Sequence, residues 1–136
     1  MKRTKKILGQ FIDMMSHMLQ NNKTVFYKDL PGEVKAFAQK KFQGYSIAFI
    51  EKKDSDYLLT LNDGSEITIS EDGEWEEVQS REEAKLISLL PKDITDNVKE
   101  FYSNAKIIRI DKNTNGYEVA LSSAIYLKYN NQGLAA

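Results

Sequence analysis

The 136-residue chain spells one passage twice, sixty positions apart. Residues 30–73 slide onto 90–133 without a gap. Eight positions are then identical: Leu30/Leu90, Pro31/Pro91, Ile47/Ile107, Ile50/Ile110, Lys52/Lys112, Tyr57/Tyr117, Leu61/Leu121 and Gly73/Gly133. Average residue usage would leave about two or three. Val34/Ile94, Phe42/Tyr102 and Ile67/Leu127 keep the physical type. The coincidences fall where a side chain wants burial or the backbone wants special geometry. That is the signature of a supersecondary unit present in two copies.

Each copy has the same order of parts. Leu-Pro opens it, and proline suits the first turn of a helix because its missing N–H costs nothing there. Val34, Phe37, Ala38 and Phe42 predict a helical stripe, matched by Ile94, Val98, Phe101 and Tyr102. Gly44 and Asn104 stand where a left-handed C-terminal cap is wanted. An isoleucine-rich strand follows, "SIAFIEKK" or "KIIRIDKN", and then a hairpin turn, "KDSD" or "NTNG". In the next strand Tyr57, Leu59 and Leu61 share one face, as do Tyr117, Val119 and Leu121. A third strand runs through Ile67 and Ile69, or Leu127 and Tyr129, and ends at "SEDG" or "NNQG", where glycine accepts positive φ. The first copy adds a fourth strand, "EWEEV". Between the copies "QSREEAKLISLLP" predicts a linker turning into helix, with Ser80 and Glu83 at capping-box spacing.

A helix with one oily stripe and a sheet with one oily face bury each other. The expected fold class is therefore α+β, a tandem repeat of one helix packed on a three- to four-stranded antiparallel meander. The expected divisions are an N-terminal extension over 1–23, a first repeat over 24–79 and a second over 80–136. In the extension Ile7, Leu8, Phe11, Ile12, Met15, Met18 and Leu19 fall at helical spacing. Gln10, Asp13, Ser16 and His17 interrupt any continuous apolar run, so the segment reads as an amphipathic helix rather than an export signal, and it is too short to span a bilayer. Lys2, Arg3, Lys5 and Lys6 ahead of the stripe suit an anionic membrane surface. Asp13 and the Gln-Asn end dilute that charge, and packing on the domain or on a second copy, or disorder, is the favoured alternative.

Composition closes off most chemistry. With no cysteine there is no disulfide, thiolate metal site or cysteine nucleophile. His17 is the single histidine, which leaves zinc centres and Ser-His-Asp catalysis without their parts. Net charge is −1 with the basic residues dispersed, so no phosphate-collecting surface for nucleic acid is expected. Glycines are scattered, not gathered into a phosphate cradle. "DSD" at 54–56 and "SEDGEWEE" at 70–77 lack the ligand spacing of a calcium loop and read as turns. No catalytic residue, cofactor or metal ligand is assigned.

One constellation remains. If Tyr57, Leu59 and Leu61 face the helix, Leu58 and Thr60 face out, and by the same parity so do Phe49, Arg109, Tyr126 and Lys128. Trp75, among glutamates, is placed beside them, with sealing of the junction between the copies as its alternative. Phe49, Leu58, Trp75, Arg109, Tyr126 and Lys128 form the candidate partner-binding set, since aromatic and charged residues together are what an interface contains.

The order of parts, "GYEVAL" at 116–121 and "SEDGEWEEV" at 70–78 resemble the PepSY-like proteins, also described as beta-lactamase-inhibitor-protein-like and common in gut Bacteroidetes. The similarity covers residues 24–134. It implies tandem helix-on-sheet units, an exported or periplasmic setting and, from the namesake fold, protein binding or inhibition. The chain departs from that pattern in lacking a hydrophobic leader and in carrying "SSA" where Asn-Gly or Asp-Gly is usual. The expected function is a non-enzymatic protein- or peptide-binding module. The alternatives are a hydrolase or lyase with carboxylates in a cleft between the copies, and a structural accessory domain.

Overall fold

The structure, a computed structural model, describes residues 23–135. Strand β1 (Lys23–Thr24) and a 3-10 turn (Tyr27–Asp29) lead into helix α1 (Gly32–Lys41). Strands β2 (Ile47–Lys53), β3 (Asp56–Leu61), β4 (Glu66–Ser70) and β5 (Trp75–Gln79) follow. Helix α2 (Glu83–Ile87) and helix α3 (Lys92–Phe101) precede β6 (Ile107–Asn113), β7 (Gly116–Leu121) and β8 (Tyr126–Asn130). The eight strands form one antiparallel sheet in chain order. The α+β tandem repeat is borne out with unusual fidelity, because α1, β2, β3 and β4 return as α3, β6, β7 and β8 with every boundary displaced by sixty.

Register repeats as well. Ile47 pairs with Leu61 and Phe49 with Thr60, just as Ile107 pairs with Leu121 and Arg109 with Ala120, so each first strand carries a bulge at the same place. The extra residue lets two isoleucines three apart face the helices: Ile107 and Ile110 are both buried. Leu30, Val34, Ala38 and Phe42 form the buried stripe of the first helix, and Leu90, Ile94 and Val98 that of the second. They close on Leu59, Leu61, Ile67, Ile69, Val78, Val119 and Leu121 in one continuous core. A fully buried Leu or Ile is worth about 1.5–3 kcal/mol, so these few side chains dominate the fold's stability.

The turn after each third strand ties sheet to helix. A Cβ on Gly73 would lie 2.8 Å from that of Glu33, and one on Gly133 would lie 3.4 Å from that of Asp93. Both glycines seat on the first helical turn of their own copy. The preceding hairpin differs between copies: Gly64 takes φ 88°, and its counterpart Ala124 takes φ 64° with a side chain attached. This is the "SSA" departure, and the backbone has kept the turn while the residue type has not.

Three expectations are corrected. Asn104 is not left-handed, although Gly44 is, at φ 87°. Pro31 and Pro91 sit one position before the helices, with extended ψ of 149° and 144°. The Ser80–Glu83 capping box does not form: Glu82 is the N-cap, Ser80 Oγ accepts the Glu82 amide, and the Glu83 carboxylate accepts the Ile107 amide instead. The expected helix over 7–19, with His17, lies outside the described residues.

Left-handed backbone costs a residue with Cβ roughly 1–2 kcal/mol. Ala124→Gly is therefore expected to raise unfolding stability by about 0.5–1 kcal/mol after the entropy cost of glycine. Leu59→Ala, at a fully buried site, is expected to lower it by about 2–5 kcal/mol. Urea denaturation followed by circular dichroism measures both.

Candidate functional site: the open sheet face and the junction

Alternation along the strands turns Phe49, Leu58, Thr60, Thr68, Glu77, Arg109, Asp111, Glu118, Tyr126 and Lys128 away from the helices. No described element covers this face. Five of the six candidate residues lie on it: Phe49, Leu58, Arg109, Tyr126 and Lys128. They do not form one cluster, because β2 and β8 stand six strands apart, roughly 29 Å at the usual strand spacing. Phe49 and Leu58 are half-buried at one end. Tyr126, 71% exposed, stands at the other with Lys128, whose Nζ is 3.7 Å from Glu118 Oε1.

Between them lies a charged centre. Glu77 and Asp111 are directly opposite across the β5–β6 pair, an arrangement that is unfavourable for like charges. Arg109 mediates, with Nε 3.2 Å from Asp111 Oδ2 and 3.6 Å from Glu77 Oε1. Burial first, and then the charge of Asp111, raise the Glu77 pKa against the pull of Arg109. The centre of the face thus holds two carboxylates against one guanidinium.

Trp75 is the exception. It is 6% exposed and packs in the core, its ring 6.2 Å from that of Tyr117 and 4.8 Å below Lys112 Nζ. The cause is a bulge: Thr68 pairs with Glu77 and Ile69 with Trp75, so Glu76 is the extra residue and Trp75 turns inward together with Val78. The tryptophan of the first copy thus rests on a tyrosine of the second and seals the junction. Because β5 pairs with both β4 and β6, the sheet runs unbroken where a cleft between the copies was envisaged.

The junction also holds a polar cluster that the sequence did not announce. Lys85 on α2 is 5% exposed, and its ammonium is paired with Asp63. It also donates to Ser65 Oγ at 3.3 Å, lies 3.4 Å from Glu82 and sits over the Tyr45 ring at 3.7 Å. Tyr45 OH donates to Glu82 at 2.7 Å, and the Ser65 and Ser80 hydroxyls are 2.8 Å apart. A lysine between Ala84 and Leu86 in a short amphipathic helix has no sequence mark that separates it from a solvated one. Its chemistry is settled by its partners. Burial alone would lower the Lys85 pKa and raise that of Asp63, but the hydrogen bond between them prevails. Lys85 is raised above its ordinary value, and Asp63 falls to about 2 with help from the Ser65 amide. An ammonium held this firmly is no general base for the serine beside it. The cluster is a clamp between the β3–β4 hairpin and the linker helix.

Since the folded-state pKa of Asp63 is depressed from 3.8 to about 2, its contribution is complete above pH 4 and is lost as pH falls toward 2. Asp63→Asn is expected to flatten the melting temperature profile between about pH 4 and pH 2. Asp63→Ala is expected to cost about 1–3 kcal/mol at neutral pH by leaving the Lys85 charge buried without its main partner. Thermal melts across pH measure both effects.

Two grooves flank the sheet. One, of about 730 Å³, lies between the end of α1 and the edge of β2. The other, of about 710 Å³, lies beside β8 and is lined by Asn97, Phe101, Tyr102, Tyr126 and Tyr129 among others. Neither lining contains an aspartate or glutamate.

Comparison with known proteins agrees with this architecture. No curated protein matches the sequence. A solved structure from Bacteroides vulgatus, described as a periplasmic protein of unknown function, is 24% identical, with 85% of this chain and 97% of that chain covered and a TM-score of 0.76. A candidate calcium-regulated periplasmic protein from Bacteroides thetaiotaomicron is 22% identical over 87% of this chain and 96% of its own, with a TM-score of 0.77. Another Bacteroides vulgatus protein described as periplasmic is 22% identical over 85% and 94%, at a TM-score of 0.73. At these identities the likeness is one of fold. The family profile matches twice, over residues 17–73 and 57–135. The two matches overlap over residues 57–73 and together span both copies of the unit, and the chain belongs to the beta-lactamase-inhibitor-like, PepSY-like family.

Proposed function

We propose that the protein is a non-enzymatic binding module, seated in the periplasm like its structural relatives, that contacts a protein or peptide partner through the open face of its sheet. The observation that carries this reading is a sheet face that no described element covers, with apolar Phe49 and Leu58 at one end, the Glu77–Arg109–Asp111 group at the centre, and Tyr126 with Lys128 at the other. An extended, mixed surface of this kind suits a partner of matching length better than it suits a small substrate. The family's inhibitor-like description points the same way.

The hydrolase alternative has little support, since it needs acids gathered in a cleft and the sheet is continuous between the copies. Calcium regulation, named for one relative, is not carried over. Calcium takes six to eight oxygen ligands, and among the described residues no three acidic side chains converge as a metal-binding group.

The test is affinity capture from the native host with the wild-type protein and with a Leu58→Thr/Tyr126→Ala/Lys128→Ala variant, which keeps the Glu77–Arg109–Asp111 group intact. A specific partner is expected to be retained by the former and weakened at least about tenfold with the latter, while the melting temperature stays within a few degrees. A partner held equally by both proteins would remove the face from the proposal.

A further inference from the structure

The groove beside β2 marks the place where the internal repeat is broken, and the second copy shows what belongs there. Val25 and Val78 are equivalent: the Val25 amide donates to the Ile50 carbonyl at 3.0 Å, and Val78 pairs with Ile110. Five positions lead from Val25 to Leu30, against twelve from Val78 to Leu90. The longer connection contains α2. Along it Gln79 pairs with Arg109, the Ser80 amide donates to the Ile108 carbonyl at 3.2 Å, and the Glu83 carboxylate accepts the Ile107 amide at 2.7 Å. Leu86 is then fully buried where α2 lies against β6.

In the first copy no described residue fills these places. Pairing along β1 ends at Val25, and the edge of β2 from Ile47 to Phe49 has no described strand beside it. What stands there is the 730 Å³ groove, lined by Phe26, Tyr27, Ala38, Phe42, Ile47 and Phe49 among others. Phe26 is 70% exposed at its mouth. The lining has no charged side chain. At its Tyr27 wall Lys35 Nζ reaches over the ring at 5.7 Å and donates to the Lys28 carbonyl at 2.9 Å, and neither Lys28 nor Lys35 has an acidic partner among the described residues.

We infer that this groove binds an acidic, leucine-bearing segment of another protein in the pose that α2 takes on β6. A glutamate of the segment accepts the Ile47 amide, a leucine three positions later fills the apolar hole, and the surrounding lysines favour its negative charge. The groove shares Phe49 with the open face, and the two readings are told apart by Phe26, which lines the groove, and Tyr126, which lies on the face and not in the groove.

The probe is a fluorescent peptide copying residues 79–90 with Arg81→Glu and Lys85→Glu, titrated against the full chain. Saturable binding in the range of about 10–100 µM is expected. It should weaken about tenfold or more with Leu86→Ala in the peptide and with Phe26→Asp in the protein. Phe26 is mostly solvent-exposed, so that variant should melt as wild type does. Tyr126→Ala on the open face, 71% exposed in the native protein, should leave the peptide affinity unchanged. Absence of binding up to about 1 mM, or binding indifferent to both Leu86→Ala and Phe26→Asp, overturns the proposal. Binding that appears only after removal of residues 1–22 would assign the groove to the chain's own N-terminal segment and overturn it too. So would a dimer that Phe26→Asp dissociates, since a second copy would then be the occupant.

Discussion

The fold depends on two short helical stripes closing over one face of one sheet. Leu30, Val34, Ala38 and Phe42 are four apart, as are Leu90, Ile94 and Val98, which is the spacing that stacks side chains on one side of a helix. Beneath them lie mainly Ile, Leu and Val from the strands, joined by Tyr57, Trp75 and Tyr129. The glycine of each third hairpin lets the chain pass over the helix's first turn without a side chain in the way. Helix, sheet and turn therefore constrain one another within each copy, and the second copy repeats the arrangement with different residues of the same kind.

This economy explains why so much of the architecture was legible. Alternation in "YLLTLN" and "YEVALS" and the shared Leu-Pro openings report burial, and burial is what the repeat preserves. What escaped notice are features that break a period. The Glu76 bulge reverses the side on which Trp75 emerges, and no residue in "EWEEV" marks it. The same device in β2 and β6 did no harm to the reading, because Phe49 and Arg109 lie beyond the bulge in each strand. Asn104 failed as a cap because the repeat keeps the turn's place but not its backbone angle.

The candidate site divides along the same line. Which residues leave the sheet on its open side follows from parity, so Phe49, Leu58, Arg109, Tyr126 and Lys128 were recoverable. How far apart they stand follows from strand order, which a sequence with short hairpins implies but which only coordinates measure. The clamp around Lys85 was not recoverable at all. Its partners come from the β3–β4 hairpin, the linker and the end of the first helix, three places unrelated in sequence spacing.

Strand β5 follows the strands of the first copy and borders those of the second, pairing with both β4 and β6 and lending Trp75 to Tyr117. Neither half therefore owns a complete boundary. Severed after Ser70, the first half would lose its bordering strand; severed after Gln79, the second would begin with a bare flank of unpaired amides and carbonyls, a template for unwanted association. Duplication here has produced a mutual dependency rather than two beads on a string, and the pair is bound to unravel as a single cooperative body.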